Sequence, residues 1–220
     1  VSVEEVRERS GANLAKKDLK EGLKANLVAG NPDSGIAYAI GYAQEAKIPL
    51  RRVLIKYTPG YGRSFLPPSK EERDQIAQKK LLPIPALIAG KKIVICDDSI
   101  VRGTQLRNQV IDRLWEYGAA EIHLRIGCPP LLFACPYFLS TRTTTELAAR
   151  RAIDEVHLSS KPMSAFIKES PSYRRMVKRI AQSLGVTSLV YQSIDEMVEA
   201  ISLPAESLCL YCWQGGKDKK

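Results

Sequence analysis

Asp97-Asp98-Ser99-Ile100-Val101-Arg102-Gly103-Thr104 follows directly on the apolar run Ile93-Val94-Ile95-Cys96. A β-rich run ending in two carboxylates, then a turn with Arg and Gly, then a helix, outlines a sugar-phosphate site. Asp97 and Asp98 suit the vicinal hydroxyls of a ribose or a bound divalent cation. The N–H groups of the loop and the N-terminus of the next helix suit a phosphate dianion. Arg102, Gly103, Thr104 and Gln105 are expected to wrap that phosphate. Gly103 permits close backbone approach and Thr104 adds a hydroxyl donor. The plainer reading is a helix N-terminus whose acidic residues suit its dipole. An Asp-Asp pair alone would favour that reading; the whole string after a buried strand favours the site.

On either side of this stretch, strand-like runs alternate with amphipathic segments. Residues 25–29 form an apolar run, followed by a Gly-Asn-Pro-Asp-Ser-Gly turn at 30–35 and a helix through Ile36, Ala37, Ile40 and Ala43. Residues 52–56 are a second strand candidate. A Gly-, Pro-, Tyr- and Ser-rich loop from Tyr57 to Ser69 has the content of a lid, and a charged helix is expected over 70–82. Residues 92–96 make the third strand. The helix after Gly103 should bury Leu106, Val110, Ile111 and Leu114, with Gly118 at its C-terminal cap. Residues 121–126 make the fourth strand. Helices are expected at 145–152 and 172–184, and a short strand at 188–191. Ser193 to Glu196 reads as a capping box opening a last helix to about Ile201. This alternation predicts an α/β fold, a parallel sheet with helices on both faces. Ligands bind at the carboxyl ends of strands in such sheets, where the 30–35 turn and the 97–104 loop both fall.

With 220 residues, 45% hydrophobic and 26% charged, the composition is that of an ordinary globular protein. No apolar run is long enough for a membrane span and the first residues are not a signal peptide, so a cytoplasmic protein is expected. The net charge of +9 is spread along the chain, dense only at Lys217-Asp218-Lys219-Lys220, and it suits a multiply phosphorylated substrate as well as nucleic acid. Neither a helix-turn-helix nor a dense basic face stands out, so no nucleic-acid partner is expected.

Ile-Cys-Asp-Asp-Ser-Ile-Val-Arg-Gly-Thr at 95–104 resembles the phosphoribosylpyrophosphate motif of the type I phosphoribosyltransferases. Its Ser-Ile-Val-Arg-Gly-Thr continuation resembles the glutamine phosphoribosylpyrophosphate amidotransferase family within that group. Asn31-Pro32-Asp33-Ser34 is similar to the family's pyrophosphate loop, and Tyr61-Gly62-Arg63-Ser64-Phe65 to its mobile flap. Cys128-Pro129-Pro130 with Cys135, Thr145-Glu146-Leu147-Ala148 and the final Cys-x-x-Cys follow in the family's order. Two departures stand out: Gln105 replaces a second Thr, and Tyr57 to Gly60 is longer than the family pattern. The resemblance covers nearly the whole chain. It implies a type I phosphoribosyltransferase domain over 1–220, its core at 20–160 and a helical extension with the Cys-x-x-Cys at 161–220.

The activity so implied is displacement of pyrophosphate by ammonia from C1 of phosphoribosylpyrophosphate, giving 5-phosphoribosylamine, the first step of purine synthesis. Magnesium is the implied metal, with Ser34, Asp97 and Asp98 around it. Catalysis rests on Asp97, Asp98 and Arg63. Asn31, Asp33, Ser34 and Gly35 are expected on the pyrophosphate, and Lys56, Arg63 and Lys80 on phosphates. Ser99, Ile100, Val101, Arg102, Gly103, Thr104 and Gln105 are expected to line the 5′-phosphate loop.

Some family members hold a [4Fe–4S] cluster, and Cys135, Cys209 and Cys212 match three of its ligand positions, the fourth lying upstream of Val1. The spacing alone leaves zinc, a redox pair and free thiols open. The family's glutaminase half has no counterpart here. A fragment, or a free-standing homologue taking ammonia from solution or from a glutaminase partner, is therefore expected, and a homo-oligomer with it. Two other readings stay open: a non-catalytic sensor of phosphoribosylpyrophosphate, and a phosphoribosyltransferase acting on a nucleobase.

Overall fold

Four parallel strands carry the candidate site at their carboxyl ends. The computed structural model describes residues 1–56, 81–137, 141 and 143–216. The flap motif with Arg63, the lid, Lys80 and the 70–80 part of the expected helix lie outside the described residues. Strands β1 (Leu27–Gly30), β4 (Lys92–Asp97), β5 (Glu121–Ile126) and β6 (Ser188–Tyr191) form one sheet in the order β1-β4-β5-β6. Its register sets Gly30 beside Cys96, Asp97 beside Ile126, and Ile126 beside Tyr191.

The second strand candidate takes a different place. Strands β2 (Leu54–Lys56) and β3 (Leu81–Pro83) pair antiparallel as a separate two-stranded sheet, so residues 81 and 82 are strand rather than the end of a helix. Residues 49–51 touch the edge of the main sheet through a single bridge between Leu50 and Val28. Three consecutive β-favouring residues at 53–55 say that a strand forms, but the pairing is set by what lies alongside it.

Helix α1 (Val3–Glu21) and helix α2 (Ile36–Ala46) cover one face of the main sheet. Leu14, Ala15, Tyr38, Ala39 and Tyr42 pack there on Val28, Val94 and Cys96. Helix α3 continues from Gly103 through Thr104–Leu106, a π turn at Arg107–Ile111, and Asp112–Glu116. It covers the other face with α4 (Ala148–Glu155) and α5 (Pro171–Leu184), burying Leu106, Val110, Ile111 and Leu114 as the periodicity predicts. Gly118 lies just past its end, where its N–H donates to Trp115 O. Helix α6 (Ile194–Ile201) opens on the expected capping box of Ser193 and Glu196. Helix α4 starts later than the pattern predicts, because a 3₁₀ turn at Thr144–Glu146 ends on extended Leu147.

Segments before residue 20 and after residue 160 also pack into these layers. Helix α1 packs lengthwise on α2, and β6 completes the sheet. Among the described residues no helix is long and apolar enough to cross a membrane.

Candidate active site at the carboxyl end of the sheet

Asp97 ends β4 and is nearly inaccessible, at 4% exposure. Three neutral donors converge on its carboxylate: Asn31 Nδ2 at 2.8 Å, Ser34 Oγ at 2.6 Å and the Asp98 N–H at 2.9 Å. No cation is among the partners of that carboxylate in the described residues. Burial pushes Asp97 up to about 6, against the pull of the Ser34 hydroxyl, with the charge of Asp98 adding to the rise. Asp98 itself is half-buried; its carboxylate accepts from Ser99 Oγ at 3.3 Å.

The 30–35 turn is drawn against the end of β4. The N–H of Asn31 donates to Cys96 O at 2.8 Å, and that of Gly35 to Asn31 O at 2.8 Å. A Cβ on Gly35 would sit 1.9 Å from Cys96 O, so only glycine allows this approach. Of the amides expected to hold pyrophosphate, those of Asn31 and Gly35 are thus engaged. The N–H groups of Asp33 and Ser34 donate to no other described residue. Lys56 Nζ forms an exposed ion pair with Asp33 at 2.8 Å, so two residues expected on phosphate meet each other here.

The phosphate loop is open in its amides. The N–H groups of Ser99 to Gly103 donate to no other described residue, and Gly103 stands at φ +79°. Arg102 contributes its backbone to this loop. Its guanidinium turns to Glu146, with Nε 3.0 Å from Glu146 Oε2 and Nη2 on the same oxygen. Thr104 and Gln105 open α3 as the motif predicts.

Three further residues at this end carried no signal in local patterning. Tyr38 is buried on α2, and burial pushes its phenol up to about 12. Asp98 adds to that rise, while a hydrogen bond from Arg7 of α1 opposes it. Arg7 and Tyr38 reach the site from a helix pair that reads only as core. Gln192, just past β6, is fully buried with both amide atoms unpartnered among the described residues. A periodic reading of 188–191 cannot see it.

The cysteines behave differently. Cys135 and Cys212 hydrogen-bond, and burial raises the Cys212 thiol, as do its neighbours Cys135 and Cys209. Cys96 and Cys128 are buried. Among the described residues, no group of three or more His, Cys, Asp or Glu side chains is arranged to hold a metal ion.

No family model matches the chain. An amidophosphoribosyltransferase from Methanocaldococcus jannaschii is 35% identical over 98% of this chain and 39% of its own length. One from Methanothermobacter thermautotrophicus is 39% identical over 87% of this chain and 35% of its own length. The chain is homologous to a part of the amidophosphoribosyltransferases. The solved glutamine phosphoribosylpyrophosphate amidotransferase from B. subtilis, complexed with ADP and GMP, superposes with a TM-score of 0.74 at 32% identity, over 99% of this chain and 43% of that one. The architecture is the type I phosphoribosyltransferase fold of that structure. The chain spans about two fifths of the length of these relatives.

Proposed function

We propose that this chain transfers the phosphoribosyl group of phosphoribosylpyrophosphate to ammonia, forming 5-phosphoribosylamine and pyrophosphate, the opening step of purine synthesis. The observation that carries the reading is the buried Asp97, with no cation among its partners in the described residues. It is tied to the 30–35 turn by Asn31 and Ser34 and stands beside a loop with five amides open among the described residues.

In this reading the ammonia lone pair forms the new C1–N bond as the C1–O bond breaks. The bonding electrons leave on pyrophosphate, and the ammonium formed gives up a proton to solvent. The ribose gains oxocarbenium character on the way, so catalysis is chiefly positioning and charge stabilisation. Asp98, with its carboxylate the less enclosed of the two, faces the ribose and the positive charge growing on it. The amides of Ser99 to Gly103 hold the 5′-phosphate, those of Asp33 and Ser34 the pyrophosphate. Asp97 holds the two loops together through its three donors.

The donor set also fits magnesium. Asp97, Asp98 and Ser34 Oγ are hard oxygen donors on one rim. Mg²⁺ commonly rests on one or two carboxylates plus substrate phosphates rather than in a protein cage. When bound, the ion neutralises charge on the pyrophosphate. Arg63 and Lys80 remain proposed phosphate contacts. For the iron–sulfur reading, Cys135 and Cys209 are neighbours of Cys212, and no step is derived through a cluster. Iron and sulfide analysis of the purified protein tests it directly. A cytoplasmic homo-oligomer, with a glutaminase domain or subunit as the upstream ammonia source, completes the proposal.

The test is phosphoribosylpyrophosphate turnover with magnesium, comparing ammonia and glutamine as donors. Pyrophosphate release with ammonia supports the reading, and release with glutamine adds the glutaminase. Substrate binding without release under either donor overturns it in favour of a sensor. Release only with a nucleobase overturns it in favour of a base-specific transferase.

A further inference from the structure

The segment 144–151 grips the phosphate loop from behind. Ala148 N–H donates to Val101 O at 2.8 Å, and Arg151 Nη2 donates to Arg102 O at 2.5 Å. Glu146 takes the Arg102 guanidinium through Nε and Nη2. The next carbonyl, that of Gly103, accepts from Arg107 N–H at 2.9 Å inside α3. Three successive carbonyls, 101 to 103, are therefore engaged.

A trans peptide is planar, with its C=O and N–H pointing in opposite directions. The only cis bond among the described residues is Pro32-Asp33. Holding the carbonyls of Val101 and Arg102 toward α4 therefore turns the amides of Arg102 and Gly103 away from it. The Gly103 carbonyl, committed to α3, leaves the Thr104 amide pointing out of that helix's N-terminus. Successive amides sharing one direction make an anion nest. The left-handed Gly103, at φ +79°, lies within this run.

We propose that Glu146 and Arg151 are positioning residues for the phosphate-binding step. They fix the backbone of Val101 and Arg102 so that the amides of Arg102, Gly103 and Thr104 are presented to the 5′-phosphate. Arg102 serves as the handle that is gripped, and its side chain is not a ligand of the substrate. The inference rests on the reading of 99–104 as the phosphate loop. An exposed ion pair contributes little by itself, whereas a charged donor on a backbone carbonyl contributes more. Arg151 is accordingly the stronger half of the clamp.

Kinetics on the purified chain with magnesium and ammonia test this, using Glu146→Gln, Arg102→Gln, the double variant, Arg151→Gln and Arg151→Lys. The expected result is a rise in KM for phosphoribosylpyrophosphate of roughly three- to tenfold for Arg151→Gln and less for Glu146→Gln, with kcat and the unfolding midpoint held. Arg102→Gln should match Glu146→Gln, the double variant should be no worse than either, and Arg151→Lys should recover part of the loss. The proposal is overturned if Glu146→Gln binds substrate like the parent while Arg102→Gln alone loses affinity, since Arg102 would then touch the phosphate directly. It is equally overturned if Arg151→Gln leaves KM unchanged.

Amide hydrogen exchange at Ala148, whose N–H donates to Val101 O, measured without substrate, separates this clamp from the function it serves. Faster exchange there in Glu146→Gln and Arg151→Gln supports the clamp even if the parent chain releases no pyrophosphate, and unchanged exchange overturns it.

Discussion

Two aspartates, Asp18 and Asp97, are equally hidden from solvent, at 2% and 4% exposure, and lead opposite lives. Asp18 lies on α1, under the sheet. Arg125 of β5 grips it with Nε at 2.6 Å from Oδ2 and Nη2 at 2.8 Å from Oδ1, and the Tyr42 hydroxyl donates to it at 2.5 Å. Asp97 lies at the sheet's carboxyl end and receives only neutral donors among the described residues, and burial pushes it up to about 6. A buried carboxylate matched by a guanidinium is a fastening. One left without a cation at a crevice is poised for something that arrives later.

The largest effect expected from breaking this contrast is at Asp18. Asp18→Ala leaves the Arg125 charge buried and unpaired, and should cost about 3–5 kcal/mol in denaturant unfolding. Adding Arg125→Met should recover most of that, because an apolar replacement of the whole pair is often neutral. Asp98→Asn should do the reverse: a drop in kcat on the order of a hundredfold with the unfolding midpoint held. Loss of folding in that variant would refute its place in the site.

Asp97→Asn sharpens the comparison further. Its folded-state pKa is raised, so the folded protein favours the protonated form. The stability this gives is present below the unfolded value, near pH 4, and is lost as pH rises through about 6. In metal-free protein the parent should show that downward slope, and Asp97→Asn should lack it. An amide flip of Asn31 lets the new side chain keep its hydrogen bonds, so stability near pH 7 should stay within about 1 kcal/mol of the parent or above it.

The smallest effect is at His123, whose pKa is lowered by burial first and by the charge of Arg125 next, against the hydrogen bond its ring makes to Glu121. Folding therefore favours the neutral ring. Stability from this group is full above the unfolded pKa near 6.5 and lost as pH falls below it. His123→Gln should flatten that acid limb by less than about 1 kcal/mol in pH-dependent unfolding.

Much of this was legible because it is local. Residues 92–104 encode strand, carboxylates, loop and helix in one continuous run, and Ser193 with Glu196 encodes a cap within one turn. The joining of Asn31 and Ser34 to Asp97 is foreshadowed by both loops ending parallel strands. Local reading fails where partners come from afar. The 52–56 strand pairs with 81–83 rather than joining the main sheet. The guanidinium of Arg102 turns to Glu146, forty-four residues away.

The sequence by itself determined the alternation of strands and helices, the parallel sheet and the two loops at its carboxyl end, because spacing and backbone preference act over a few residues. Only the tertiary structure decided which partners each buried aspartate meets. In β5 the alternation of Ile122, Leu124 and Ile126 with His123 and Arg125 does not name a partner for either polar side chain; α1 covers their face and brings Asp18 to Arg125. A side chain's electrostatics depend on which groups share its low-dielectric surroundings, and only the folded packing of distant segments sets them.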